Sequence, residues 1–300
     1  MIRYIFVLVF AILALPLQAA SEVTPPAALH LGIFPYMAPR QTVEFYGPVA
    51  ANIQAILNQP VKLESAPSFT EFKLEMVMRQ YDIALIQPFD YPVVVEKMGY
   101  IPIAQMSVPL ITQFFVRDDS NFKTIEDLRG STIAMPPAQS ANAIMAVRAL
   151  FDNKLTPGTA VEVNYFNSHD SCLQQVWAGS ASACGTATPP VLLFEQRMQA
   201  KLRAIYDTPP IPHILFVASP RVSAENRAKL QQLITGWNKT ENGRAILKGL
   251  GFPGFVVAKP AEYAMMRNYI TTTDVKKVTK SNTSELLLAA CRTSHTSIHK

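Results

Sequence analysis

Two kinds of hydrophobic spacing alternate along this chain. Short, nearly continuous apolar runs are followed by longer stretches in which apolar residues return every three or four positions. These are the patterns of buried strands and of helices with one covered face. Ala28–Phe34 reads as a first strand, and Thr42–Leu57 as a helix that stops at Asn58-Gln59-Pro60. Val61–Ala66 reads as a second strand. Ser68–Gln80 reads as a helix, with Ser68 and Glu71 in capping-box spacing. Asp82–Gln87 is a buried strand that runs into Pro88-Phe89-Asp90-Tyr91. A helix through Lys97 and a strand at Ile101–Met106 follow.

The pattern then restarts. Gln113–Val116 is a strand, Thr124-Ile125-Glu126-Asp127 opens a short helix that Gly130 ends, and Ser131–Met135 is a strand. After the turn Pro136–Gln139, Ser140–Asp152 is a strong helix. Val161–Phe166 is a strand, and Asn167-Ser168-His169-Asp170 opens a helix to Trp177. Ala181–Thr186 is a strand, Pro190–Met198 a helix and Leu202–Tyr206 a strand. The proline-rich Thr208–Pro212 precedes a strand at His213–Ala218 and helices at Ala224–Trp237 and Glu241–Leu250. Such alternation predicts an α/β chain of mostly parallel sheets covered by helices. The Ser/Thr-rich stretch Ser281–Lys300 reads as a poorly packed tail.

A length of 300 residues suggests two domains, and 49% hydrophobic with 16% charged residues is a globular composition. The net charge of +5 is scattered. Its one tight cluster, Lys276–Lys280, reads as a solvated helix end, so nucleic acid is not an expected partner. The start is more informative. Met1-Ile2-Arg3 is followed by an apolar run of 14 residues, Tyr4–Leu17, and then Gln18-Ala19-Ala20-Ser21. This has the form of a secretory signal peptide over residues 1–20, shorter than the ~18 apolar residues of a membrane span. Export permits disulfides. Cys172 and Cys184 are read either as a bridge or as free buried thiols, and no cysteine spacing indicates a metal.

Ligands in open α/β sheets sit at the carboxyl ends of strands. Three such ends carry unusual polar residues: Pro88–Tyr91, Gln139–Asn142 and Ser168–Asp170. The last two are also helix starts, where unpaired N–H groups and the helix dipole favour an anion without Lys or Arg. Ser140 and Ser168 add hydroxyls, Asn142 an amide and His169 a ring N–H. Tyr91 and Tyr46 are candidates to close the site from the other side. Ordinary N-capping accounts for the same Ser, Asn and Asp residues. No nucleophile elbow, zinc-protease motif or glycine-rich phosphate loop is present. Adjacent His169 and Asp170 at a helix start do not form a relay, so no catalytic role is expected.

Several stretches in order carry a family resemblance. They are Gly32–Tyr36, Tyr81–Ala84 with Pro88–Tyr91, Ile125–Gly130, Asn167–Asp170, Pro209–Pro212, Gly243–Leu247 with Gly251–Phe255, and Glu262-Tyr263 with Arg267. Together they resemble the phosphonate/phosphate/phosphite-binding proteins of ATP-binding-cassette importers. The resemblance implies the two-lobed type II periplasmic binding fold, with crossover strands near Gln113–Val116 and His213–Ala218 as a hinge. Lobe one would hold 26–111 plus 217–275, lobe two 112–216, and 276–300 a tail. The lobes would close on ligand by hinge motion.

The resemblance also implies ligand contacts at Tyr91, Tyr46 and His169, and at Ser140-Ala141-Asn142, where only the first of three family hydroxyls survives. An acidic residue that pairs with the amine of aminoalkyl phosphonates falls on Ala187 or Thr188, so such ligands are expected to bind poorly. Phosphate, phosphite, simple alkylphosphonates and sulfur or selenium oxyanions stay open. Asp90, if it points inward, would accept a hydrogen bond from a protonated ligand; otherwise it caps the following helix. The role implied is a monomeric periplasmic solute-binding protein, without cofactor or metal, that serves an inner-membrane permease. A sensor that signals to a membrane receptor or kinase is the alternative.

Overall fold

The computed structural model describes residues 27–269. The expected signal peptide at 1–20 and tail at 276–300 lie outside these residues. The first part of the chain runs β1 (Leu29–Ile33), α1 (Pro39–Leu57), β2 (Val61–Glu64), α2 (Phe69–Val77), β3 (Ile83–Ile86) and β4 (Ile101–Met106). The middle part runs β5 (Gln113–Arg117), β6 (Thr132–Met135), α3 (Ala141–Asp152), β7 (Glu162–Tyr165), α4 (His169–Trp177), β8 (Ala183–Thr186), α5 (Thr188–Met198) and β9 (Leu202–Asp207). The last part holds β10 (Leu215–Ala218), α6 (Ala224–Thr235), α7 (Glu241–Leu250) and β11 (Phe255–Val257).

Two sheets result. The first has the order β11-β4-β10-β3-β1-β2 and the second β7-β6-β8-β5-β9. Each contains a parallel trio, β2-β1-β3 and β7-β6-β8, built by strand–helix–strand connections. The remaining pairings, β3–β10, β10–β4, β4–β11, β8–β5 and β5–β9, are antiparallel, so the sheets are mixed rather than mostly parallel. The cause lies in how β5 and β10 are reached. The chain enters each from the other sheet, which frees it from the direction that a crossover helix imposes.

The chain crosses between the sheets twice, at 107–112 and 208–214. The crossings pair with each other: Leu110 and Ile211 exchange backbone hydrogen bonds at 2.8 and 3.0 Å, and Thr208 N–H donates to Thr112 O at 2.9 Å. They lie beside Gln113–Val116 and overlap the start of His213–Ala218, the stretches near which crossovers are expected, and both stretches run on as strands β5 and β10. The crossings precede them, in segments whose prolines hid the pairing.

Serine and threonine set the helix starts. Ser68, Ser140, Ser168, Ser223 and Thr240 each accept from a backbone N–H in the first turn of the following helix. The first core packs α1, α6 and α7 over Leu31, Ile33, Leu85 and Phe216, with Trp237 edge-on to Phe216 at 6.0 Å and to Phe255 at 5.7 Å. Each fully buried side chain of this kind contributes roughly 1.5–3 kcal/mol. In the second lobe α3 covers one face of the sheet through Ala143, Ala146 and Leu150, and α4 covers the other. There Cys172 of α4 is bonded to Cys184 of β8, which resolves the bridge-or-thiol alternative.

Candidate functional site

A cavity of about 380 Å³ lies where the two sheets face each other at the crossings. Three of its polar residues, Ser140, Asn142 and His169, stand at the α3 and α4 starts. Ser140, buried, caps α3: its Oγ accepts from Ala143 N–H at 3.2 Å, which leaves its own O–H to donate elsewhere. Asn142 Oδ1 accepts from Thr112 Oγ1 at 2.9 Å, so its Nδ2 hydrogens remain for another acceptor. Ala141 contributes backbone only.

His169 is the first residue of α4 and lines the same cavity. Its Nδ1 lies 2.6 Å from Thr186 Oγ1 at the end of β8, and Nε2 has no partner among the described residues. A second imidazole, His213 in the crossing 208–214, also lines the cavity. Its Nδ1 accepts from Ile214 N–H at 2.7 Å, which in a neutral ring places the proton on Nε2. Burial pushes both imidazoles down to about 4, so both are neutral at pH 7. Among the described residues no Lys or Arg lines the cavity, and Asp207 is its one carboxylate. The field for an anion comes from helix ends and neutral donors. Phe34, Phe69, Met106, Ile214 and Phe252 give the cavity apolar lining, as do Ala187, Pro189 and Pro190.

Three expected contact residues stand away from this cavity. Tyr46 is fully buried in α1, and its hydroxyl meets that of Tyr36 at 2.8 Å; Tyr36 is the tyrosine on the cavity wall. Burial holds both phenols well above their ordinary range, so both are neutral. Tyr91 is buried against Tyr263, its ring stacked at 4.7 Å. Ser168 spends its oxygen on Ser171 N–H at 3.0 Å as the cap of α4. Asp90 neither reaches the cavity nor needs a ligand proton. It is buried with the Lys73 ammonium 2.8 Å from Oδ1, off the axis of a hydrogen bond, so this oxygen has an ionic partner only. Tyr36, Gln87, Asp207 and His213 line the cavity without having been singled out. Tyr36 lay within a matching stretch, while the other three carry no local signal.

The family model for the periplasmic substrate-binding protein of phosphonate ABC transporters matches residues 31–263, which spans both sheets and every cavity residue named above. The chain belongs to this family. It is thus the periplasmic phosphonate-binding component of an ABC transporter. A comparison with curated protein sequences gives no match.

Solved structures share the fold at low identity. PhnD1 of Prochlorococcus marinus, in complex with methylphosphonate, superposes with a TM-score of 0.72 at 15% identity over 85% of this chain and 99% of that one. The binding component of a Pseudomonas aeruginosa phosphonate transporter gives 0.72 at 16% identity over 92% and 100%. The periplasmic aliphatic sulphonate binding protein of Escherichia coli gives 0.54 at 15% identity over 88% and 87%. Periplasmic binding is the family's setting, and among the described residues no helix is long and apolar enough to cross a membrane.

Proposed function

We propose that this phosphonate-family protein takes a phosphonate with a compact, largely apolar carbon substituent. The phosphonate oxygens face Ser140, the Ala141–Asn142 turn and His169, with His213 Nε2–H as a further donor. The carbon substituent lies against Phe34, Phe69 and Phe252. The cavity's lining carries this reading: neutral donors stand at two helix starts, and Phe34, Phe69 and Phe252 supply an apolar wall. Inorganic phosphate and sulfate would leave that wall without a partner, which forgoes about 25 cal/mol for each Å² of apolar surface.

The protein acts as a monomer that delivers ligand to its permease and performs no reaction. His169 and Asp170 support this. The imidazole is tied to Thr186 while the carboxylate pairs with Arg197, so the two are engaged with different partners and form no relay. An N-terminal signal peptide carries it to the periplasm.

The test is thermal unfolding of the mature chain against phosphate, phosphite, methyl-, ethyl- and aminoethylphosphonate, sulfate and selenate. A phosphonate at a hundredfold excess over its dissociation constant adds ~2.7 kcal/mol of stability. The expected result is a larger shift with the alkylphosphonates than with phosphate or sulfate, lost in His169→Ala. Equal shifts with sulfate and ethylphosphonate would overturn the assignment of the apolar wall.

A further inference from the structure

Gln87 follows the last residue of β3 in the first lobe and is 2% exposed. Its carboxamide reaches the start of α3 in the second lobe. Nε2 donates to Gln139 O at 2.8 Å, and Oε1 accepts from Ala141 N–H at 2.8 Å. Ala141 is the first residue of α3, so its N–H has no acceptor within the helix. Ala143 N–H is already taken by Ser140 Oγ. A neutral amide oxygen from the opposite lobe therefore holds a donor that an anion at this helix start would use. Both ends of the Gln87 amide are matched, as a buried amide requires.

We propose that Gln87 is an inter-lobe latch and an internal competitor for the anion. Its carboxamide ties the first lobe to the first turn of α3, and an anion that reaches this turn displaces it. The latch depends on protein atoms alone, whereas the displacement step rests on the ligand reading given above. Closure is then partly encoded in the chain, so that ligand draws on the fraction of molecules in which the latch has opened. Apparent affinity and association rate both scale with that fraction. Gln87 further disfavours ligands whose only anchor is the α3 end, since these must replace two good hydrogen bonds. A ligand that also gains the apolar wall has more to offset the exchange.

The test compares the wild-type mature chain with Gln87→Ala and with Gln87→Met, which keeps most of the volume but neither hydrogen bond. Each variant is first shown to melt cooperatively with wild-type circular dichroism. Small-angle X-ray scattering in phosphate-free buffer reads lobe opening, and stopped-flow fluorescence with methylphosphonate reads entry. The expected result is a larger radius of gyration in both variants and association faster by about threefold or more. An unchanged radius in both variants would falsify the latch, even if methylphosphonate binds tightly, and would leave the ligand reading standing. A larger radius with no methylphosphonate binding in any of the three proteins would uphold the latch and remove the ligand reading with the displacement step.

Discussion

His169 Nδ1 and Thr186 Oγ1 meet at 2.6 Å, with both residues buried, at the point where the first turn of α4 faces the end of β8. The hydroxyl holds one ring nitrogen, which leaves Nε2 as the atom offered to the cleft. Thr186→Val preserves shape and removes the contact. It should weaken methylphosphonate binding by about 1 kcal/mol, roughly fivefold in Kd, while Thr186→Ser retains wild-type affinity. Isothermal titration calorimetry measures both. Equal affinity in Thr186→Val and wild type would mean that packing alone orients the ring.

The same imidazole, together with His213, makes stability depend on pH. Each is pushed by burial from 6.5 down to about 4 in the folded chain. Between these values the unfolded chain binds protons that the folded one refuses, so stability rises with pH across this window. The contribution is complete above about 6.5 and is lost as pH falls toward about 4, with a limiting slope of about 1.4 kcal/mol per pH unit for each ring. Urea unfolding from pH 7.5 to 4.5 should show a shallower loss in His169→Gln and His213→Gln than in wild type. Identical pH profiles would show that neither ring is held neutral.

Gly185 of β8 sits under α3. A Cβ there would lie 2.7 Å from Ala146 Cβ and 2.8 Å from Met135 Sδ. The methionine can swing away, but Ala146 is fixed to the helix. Gly185→Ala should therefore lift α3, cost roughly 1–3 kcal/mol of stability, and weaken ligand binding through displacement of Ser140 and Asn142. Denaturant unfolding and calorimetry read the two effects separately. A loss of stability at unchanged affinity would show that the strain is absorbed without moving the start of α3.

The bridge between Cys172 and Cys184 closes a short loop, a separation of 12 residues, inside the second lobe. Its removal restores conformational freedom to the unfolded chain, an effect of about 3 kcal/mol for a loop near this size. Cys172→Ala/Cys184→Ala should lower the unfolding free energy by about 2–3 kcal/mol. The loss should appear in hydrogen exchange of α4 and β8 and leave β1–β3 protected. Uniform deprotection of both lobes would mean that they unfold as one unit.

What was legible in the sequence was whatever depends on local pattern. The period of the apolar residues located the parallel trios and helices α1 to α7, and the hydroxyls at Ser68, Ser140 and Ser168 marked helix starts because a cap acts within three residues of itself. Strand direction was not legible, since the antiparallel placement of β5 and β10 follows from which lobe the chain arrives from. Nor was β11: three residues, Phe255–Val257, begin after Gly254 at a φ of 141° and have no period to detect. Ser140, Asn142 and His169, expected as contacts for their chemistry at helix starts, line the cavity. Tyr46 and Tyr91 were matched by position in the chain, which fixes a residue's place but not the direction of its ring. Tyr36 reaches the wall by standing on Tyr46. His213, Asp207 and Gln87 come to the cavity through tertiary contacts alone.

Asp207 sets a test of one expectation. Aminoalkyl phosphonates are expected to bind poorly because Ala187 and Thr188, which both line the cavity, carry no carboxylate. A carboxylate does line the cavity, that of Asp207 at the end of β9. Asp207 Oδ1 accepts from Gln113 Nε2 at 2.8 Å, and Gln113 Oε1 in turn accepts from Thr188 Oγ1. Asp207 is exposed at the rim, so an ammonium that meets it keeps part of its hydration and avoids the cost of full burial. Attraction at about 4 Å in such a setting is worth about 1 kcal/mol in bulk water and up to about 4 kcal/mol near a protein surface. Aminoethylphosphonate should therefore bind, and Asp207→Asn should weaken it by about tenfold relative to ethylphosphonate, whose affinity should stay the same or improve as a negative charge is removed. Paired calorimetric titrations of the two ligands give this ratio without reference to the stability of the variant. A ratio that does not move on substitution would place the ligand's substituent away from the rim and restore the expectation that aminoalkyl ligands bind poorly.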